Sequence, residues 1–130
     1  MAPETARGAR PASIALAVAC DALLVGLFAG LGRNEHARAA TLGGLLETAW
    51  PFLAGLAIMW IAATVWKRPF AVVRSGIPIW AGTVAIGMLL RALTGAGTAL
   101  PFVIVATITL GAFLLGWRAL VALIAKLRRA

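Results

Sequence analysis

Four long apolar segments constrain this chain more than any other feature of its sequence. They cover residues 11–31, 45–66, 77–93 and 99–125, and short polar stretches separate them. A helix of about 17–25 apolar residues is long enough to cross the roughly 30 Å hydrocarbon core of a bilayer. The sequence therefore predicts an all-α membrane domain over residues 11–125, with four antiparallel transmembrane helices that each pack against their sequence neighbours.

The composition also predicts a surface that is covered by lipid. Of the 130 residues, 62% are hydrophobic and 12% are charged, which is about half the charged fraction of an average soluble domain. The first apolar segment is too long for the core of a secretory signal and Asp21 interrupts it, so we expect it to be retained, although Ala37–Ala40 resembles a cleavage site. Cys20 is the single cysteine, which excludes an internal disulfide framework and a multi-cysteine metal site.

The distribution of positive charge predicts the orientation of the helices. Eight of the 12 Lys and Arg residues fall in the N-terminal tail (residues 1–10), the second connection and the basic C-terminal tail (residues 126–130). The opposite side has Arg33 and Arg38. Since positive loops stay in the cytoplasm, we expect a multi-pass protein of the prokaryotic plasma membrane with both termini cytoplasmic. The basic charge accompanies no groove-reading motif, so nucleic acid is not expected as a partner.

Four ionisable side chains lie within or at the edge of the predicted spans. Because an uncompensated charge in a spanning helix costs at least ~2.5 kcal/mol, each should have a partner at a similar depth. Counting residues from the helix ends pairs Glu47 with Arg91 near the outer boundary. The same count puts Asp21 near mid-depth of helix 1, within reach of Arg118 in helix 4.

These pairs allow two interpretations. In the first, they hold the bundle together and specify its arrangement. In the second, Asp21 titrates, since intramembrane acids mark proton or ion pathways in transporters. The sequence alone leaves both open.

Other polar or helix-breaking residues are further candidates for a structural or functional role. Thr83, with Gly87 and Arg91, shares one face of helix 3, while Thr107 shares a face of helix 4 with Arg118. Pro51 either kinks helix 2, which frees the carbonyl of Glu47, or begins it, with residues 42–48 along the interface. His36 is the single histidine; we expect a solvated loop residue, because one histidine beside one carboxylate does not form a metal site.

The order of these features resembles a family of small four-helix prokaryotic membrane proteins catalogued as a domain of unknown function. The resemblance rests on Asp21, the pair Gly32 and Arg33, His36, "ETAWPF" (47–52) and residues 87–118. It implies the four-helix architecture and brings no activity. The central acid of helix 1 also resembles that of the small multidrug resistance exporters. Residues 97–116 resemble part of the fluoride channels, with Thr107 where those channels carry an asparagine.

Two classes of function follow from these observations. The first is a structural or accessory membrane protein whose polar residues build the bundle. The second is a small transporter or channel that forms a homo-oligomer, because four helices leave little room for a pathway. We expect no enzyme and no cofactor, since the chain has no nucleophile with a base, no metal cluster and no phosphate-binding loop.

Overall fold

The structure, a computed structural model, describes residues 9–33 and 42–129 of the chain. Its four α-helices are α1 (Pro11–Arg33), α2 (Leu42–Ala62), α3 (Ile77–Leu93) and α4 (Leu100–Arg129). A short π-helical turn, Val72–Gly76, leads directly into α3. All four are long and apolar enough to cross a membrane, α3 together with this turn, and the described ranges contain no strand. The predicted all-α class with four membrane-spanning helices is therefore confirmed.

The helices form a ring in which each contacts its neighbours in sequence and α1 also contacts α4. The largest of these contacts joins α2 and α3. Glycines on α3 permit it: a Cβ on Gly87 would overlap the ring of Phe52, and one on Gly82 would overlap the side chain of Met59. Small residues let two helices approach closely, and the van der Waals packing that results is one of the interactions that drive helix association in lipid.

The end of α2 differs from the expectation. The apolar segment runs to residue 66, but the helix ends at Ala62 because Thr64 has a left-handed backbone with φ of 49°. Val65–Lys67 then form one 3₁₀ turn. A left-handed residue cannot continue a right-handed helix, so the chain turns toward α3 four residues before the apolar run is exhausted.

Pro51 lies inside α2, and its side chain is buried. The alternative in which it begins the helix, with residues 42–48 along the interface, is therefore wrong, because α2 already starts at Leu42. Proline is tolerated within membrane helices where neighbouring helices cover the freed backbone. Since proline has no N–H to donate, the carbonyl of Glu47 lacks its usual helical partner.

The basic tail predicted for residues 126–130 is not separate from the last span. α4 continues through Lys126, Arg128 and Arg129, all of them exposed. Lysine, leucine and arginine are good helix formers, and positive charge at a helix C-terminus interacts favourably with the helix dipole. The resulting helix of 30 residues is about 45 Å long, which is longer than the hydrocarbon core.

Three phenylalanines fill the ring of helices toward the end that carries the α3–α4 connection. The rings of Phe28 and Phe52 meet edge to face at a centroid distance of 5.3 Å, and Phe102 lies 6.0 and 6.1 Å from them. These separations are typical of favourable aromatic pairs. The residues come from α1, α2 and α4, so this aromatic cluster connects three helices.

Candidate functional site

Asp21 of α1 and Arg118 of α4 form an ion pair inside the bundle. The guanidinium Nη1 and Nη2 atoms lie 2.7 Å from the Oδ1 and Oδ2 atoms of the carboxylate, and both side chains are fully buried. This parallel arrangement of two charge-assisted bonds is the strongest geometry available to an arginine and a carboxylate. The two residues that the sequence analysis paired by depth therefore lie together.

Two tryptophans donate to the same carboxylate. Nε1 of Trp60 lies 2.9 Å from Oδ2 of Asp21, and Nε1 of Trp117 lies 2.8 Å from Oδ1. Each carboxylate oxygen thus accepts two hydrogen bonds, and an ionised carboxylate has about four acceptor positions. The carboxylate is fully satisfied by three side chains from α2 and α4.

The guanidinium of Arg118 also holds the connection between α2 and α3. Its Nε donates to the carbonyl oxygen of Pro69 at 2.9 Å, and Nη1 donates to the carbonyl oxygen of Leu114 at 3.0 Å. The ring of Phe70 packs edge to face on Trp117, with centroids 5.7 Å apart. These contacts join three helices and one connection in a single polar cluster, which we call the Asp21 cluster: Asp21, Trp60, Pro69, Trp117 and Arg118.

The Asp21 cluster lies level with one end of α2 and not midway along it. Trp60 is in the last turn of that helix, which ends at Ala62. The part of α1 from Pro11 to Asp21 and the part of α4 from Arg118 to Arg129 each run on for about 15 Å past this level. Counting from the ends of α1 suggested mid-depth; the helices differ in length, so the middle of α1 meets the end of α2.

The structure does not bring Glu47 and Arg91 together, so this predicted pair is wrong. Nε and Nη2 of Arg91 donate to the carbonyl oxygens of Gly97 and Ala96, each at 3.0 Å, and its guanidinium carbon lies 4.3 Å from the ring centre of Phe102. Glu47 is exposed and has no ion pair among the described residues. The carbonyl groups that accept from Arg91 belong to residues five and six positions later in the chain. They satisfy its N–H donors locally, so no carboxylate on another helix is needed.

The two threonines have different surroundings. Thr83 is fully buried where α3 meets α2, and its Oγ1 has no hydrogen-bond partner in the described part of the chain. Thr107 donates from Oγ1 to the carbonyl oxygen of Val103 at 2.7 Å, and its own carbonyl accepts Nε1 of Trp80 at 2.9 Å. Within the described ranges, neither threonine is hydrogen-bonded to the Asp21 cluster. Both lie where their helix contacts a neighbouring helix.

Some of the predicted residues lie outside the described part. These are residues 1–8 of the predicted N-terminal tail, the side chain of Arg33, His36 and the cleavage-like stretch Ala37–Ala40. Across residues 9–33 and 42–129, no group of three or more His, Cys, Asp or Glu side chains could hold a metal ion.

Sequence reasoning missed the two tryptophans that complete the site. Neither Trp60 nor Trp117 was among the residues that the sequence singled out. A useful signal was present: an indole N–H inside a membrane span needs an acceptor, and Asp21 is the acid within reach at that end of the bundle. The contact with the carbonyl of Pro69 had no such signal, because it depends on the path of the connection.

The arrangement of the Asp21 cluster has a clear chemical consequence. A group that binds a substrate or passes a proton must exchange hydrogen bonds with it, whereas every acceptor position of this carboxylate is occupied by a donor of the protein. Both charges are buried and each compensates the other. Removing either one would leave an unpaired charge inside the bundle.

All residues of the Asp21 cluster lie in the part of the chain that matches a known family. Residues 18–121 match the family described as "Protein of unknown function (DUF3054)". The chain belongs to this family. The match includes Asp21, Trp60, Pro69, Trp117 and Arg118, so the ion pair lies within the DUF3054 region and not in an appended segment.

No curated protein and no solved structure matches the chain. The DUF3054 assignment agrees with the resemblance found in the sequence, and the family description carries no activity. The chemistry of the Asp21 cluster is therefore the basis on which a role can be argued.

Proposed function

We propose that this DUF3054 protein is a structural or accessory protein of the plasma membrane whose four-helix bundle is held together by the Asp21–Arg118 pair. The observation that carries the proposal is the fully satisfied carboxylate of Asp21, which accepts hydrogen bonds from Trp60, Trp117 and Arg118. A buried ion pair of this kind specifies which helices meet and at what level.

The cluster suits a structural role because its partners come from separate parts of the chain. Asp21 belongs to α1, Trp60 to α2 and Arg118 to α4, and Pro69 belongs to the connection that leads to α3. In lipid, the hydrophobic effect does not favour helix–helix contact over lipid contact, so polar interactions and close packing select the arrangement. One cluster that joins α1, α2, α4 and the connection to α3 supplies that selection.

The second candidate is a transporter or channel in which Asp21 takes up and releases a proton. Its support is that intramembrane acids commonly mark such pathways. In this site a proton could reach the carboxylate only if a donor from Trp60, Trp117 or Arg118 first gave up its bond. The structural role is therefore favoured. We assign no catalytic activity, because the four hydrogen bonds to the carboxylate of Asp21 leave it no free oxygen lone pair that could accept a proton from a substrate.

The orientation that accompanies the proposal has both termini in the cytoplasm. Its support is the exposed basic group formed by Lys67, Arg74, Lys126, Arg128 and Arg129 on the α2–α3 connection and the end of α4. Positively charged connections are retained in the cytoplasm during insertion.

A flux measurement on reconstituted protein tests the structural role against transport. The wild-type protein and the Asp21→Asn variant are placed in liposomes with a pH gradient, and proton entry is followed with an enclosed pH-sensitive dye. We expect the wild type to match empty liposomes, and Asp21→Asn to give less folded protein by size-exclusion chromatography, because Arg118 loses its counter-charge. Glu47→Gln, which removes an exposed carboxylate, is the control and should fold normally. Proton flux that requires Asp21, lost in a folded Asp21→Asn protein, would establish the transporter instead.

A further inference from the structure

The connection between α2 and α3 carries three cations that no acid of the described residues neutralises. Lys67 and Arg74 are exposed, and Arg68 is half-buried. Of the acids that the structure describes, Asp21 is engaged by Arg118, and Glu47 lies in the first half of α2, far along that helix from the connection. We call Lys67, Arg68 and Arg74 the basic turn.

The side chain of Arg68 is the distinctive member of the basic turn. Its Nε is buried without a hydrogen-bond partner in the described ranges, and no hydrogen bond from its guanidinium to the protein is present there. A guanidinium carries five N–H donors in a planar fork. In Arg68 only Nε is enclosed, and no hydrogen bond of the described residues engages the terminal nitrogens, so their donors are open to an oxygen-rich anion from outside the chain.

The backbone of the basic turn is held in one shape. Oγ of Ser75, a fully buried residue, donates to the carbonyl oxygen of Arg68 at 2.7 Å, and the amide of Ala71 donates to the same oxygen at 3.2 Å. The bond between residues 68 and 75 closes a loop whose neck carries Arg68 on one side and Arg74 on the other. Arg118 holds the middle of this loop through the carbonyl of Pro69. When a ligand binds, only the side chains of the cations have to be ordered, because the backbone that carries them is already held.

The position of the basic turn identifies the class of ligand. It begins five residues after the end of α2, where we expect that helix to leave the hydrocarbon core, and Trp66 beside it is 41% exposed. Tryptophan and basic side chains together are typical of the headgroup layer. The anions that occupy this layer in quantity are the phosphates of acidic phospholipids.

We propose that the basic turn is a binding site for the phosphate of an anionic phospholipid headgroup. The guanidinium of Arg68 provides a two-pronged contact to phosphate oxygens, as arginine does with phosphate generally, and Lys67 and Arg74 add attraction from either side. This role goes beyond the structural role of the Asp21 cluster, since it concerns side chains that take no part in the buried ion pair. Loss of one role therefore does not imply loss of the other.

Native mass spectrometry of the full-length protein in detergent tests the site, with phosphatidylglycerol and phosphatidylcholine as the added lipids. We expect the wild type to retain phosphatidylglycerol at least fivefold better than phosphatidylcholine, since one cation near an anionic headgroup contributes about fivefold in affinity. Arg68→Gln should reduce phosphatidylglycerol binding about tenfold, because it removes a charge and a two-pronged contact. Arg128→Gln removes the same charge from an exposed site on α4 and should change binding less than twofold.

A second variant and a competition with inorganic phosphate complete the test. Arg74→Gln alters an exposed side chain, so it should fold even if Arg68→Gln does not, and it should reduce binding about fivefold. Inorganic phosphate at millimolar concentration should not displace the lipid; displacement would identify a site for free phosphate instead. Equal losses in the basic-turn variants and Arg128→Gln, or no preference of the wild type for phosphatidylglycerol, would overturn the proposal.

Discussion

Asp21 shows how a charged residue is accommodated within an apolar bundle. A carboxylate that leaves water loses its hydration and regains stability only through an opposite charge and a full set of hydrogen bonds. Arg118 supplies the charge and two of the bonds, while Trp60 and Trp117 supply the remaining two. The indoles contribute polar N–H groups and large apolar surfaces at the same time, so they satisfy the carboxylate without adding another charge.

Replacement of Trp60 by phenylalanine tests the contribution of one indole. The change keeps an aromatic ring but leaves Oδ2 of Asp21 with one donor fewer, so we expect the free energy of unfolding to fall by about 1.5–3 kcal/mol. Thermal unfolding in detergent, followed by circular dichroism, measures the loss. Trp66→Phe is the matched control, because the side chain of Trp66 is exposed. Its indole N–H can bond to water in the wild type, so the substitution leaves no protein acceptor without a donor. Equal effects of the two substitutions would show that the bond from Trp60 contributes little.

At the scale of the helices, the length of each apolar segment was enough to predict a helix, whereas the residue at which a helix ends depends on local chemistry. The four segments were long enough to predict four spans, whereas the end of α2 depends on the left-handed backbone of Thr64, which no pattern in the sequence indicates. Asp21 and Arg118 could be paired from charge and depth, because a buried charge needs a counter-charge. The same reasoning failed for Glu47 and Arg91, since backbone carbonyls near Arg91 satisfy its donors first.

The close contact of α2 and α3 leads to a prediction of opposite signs for two glycine substitutions. Gly87→Ala places a Cβ against the buried ring of Phe52, so we expect a loss of about 1–3 kcal/mol in the free energy of unfolding. A methyl group on Gly26 of α1 would meet no atom of a neighbouring helix within 4 Å, so Gly26→Ala should leave stability unchanged or raise it by up to about 1 kcal/mol. Thermal unfolding of both variants measures the difference. A Gly87→Ala protein as stable as Gly26→Ala would contradict the close packing of these helices.

At the scale of the whole molecule, the helices are unequal in length and the two ends of the bundle differ. The end that carries the α3–α4 connection contains the aromatic cluster and Arg91, which holds the carbonyls of Ala96 and Gly97. The other end contains the Asp21 cluster, with the basic turn beyond it. This asymmetry of charge predicts a single orientation in the membrane.

Reporter fusions test that orientation. A fluorescent protein joined after Arg129 should be bright, since it folds in the cytoplasm, and an alkaline phosphatase joined after Gly97 should be active, since that enzyme requires the outer side. Exchanging the two reporters provides the control, because both signals should then disappear. A phosphatase that is active at both positions would show that the charge asymmetry does not set one orientation.

The central claim is that Asp21 and Arg118 act as one structural unit, and a double-mutant cycle measures this directly. Asp21→Asn and Arg118→Gln are compared singly and together by thermal unfolding in detergent. Each single change leaves a buried charge without its partner and should cost about 3–5 kcal/mol. The double variant places two neutral amides in the site, so its loss should be smaller than the sum of the single losses by more than about 1 kcal/mol. Strictly additive losses, or single variants as stable as the wild type, would contradict the structural role of the pair.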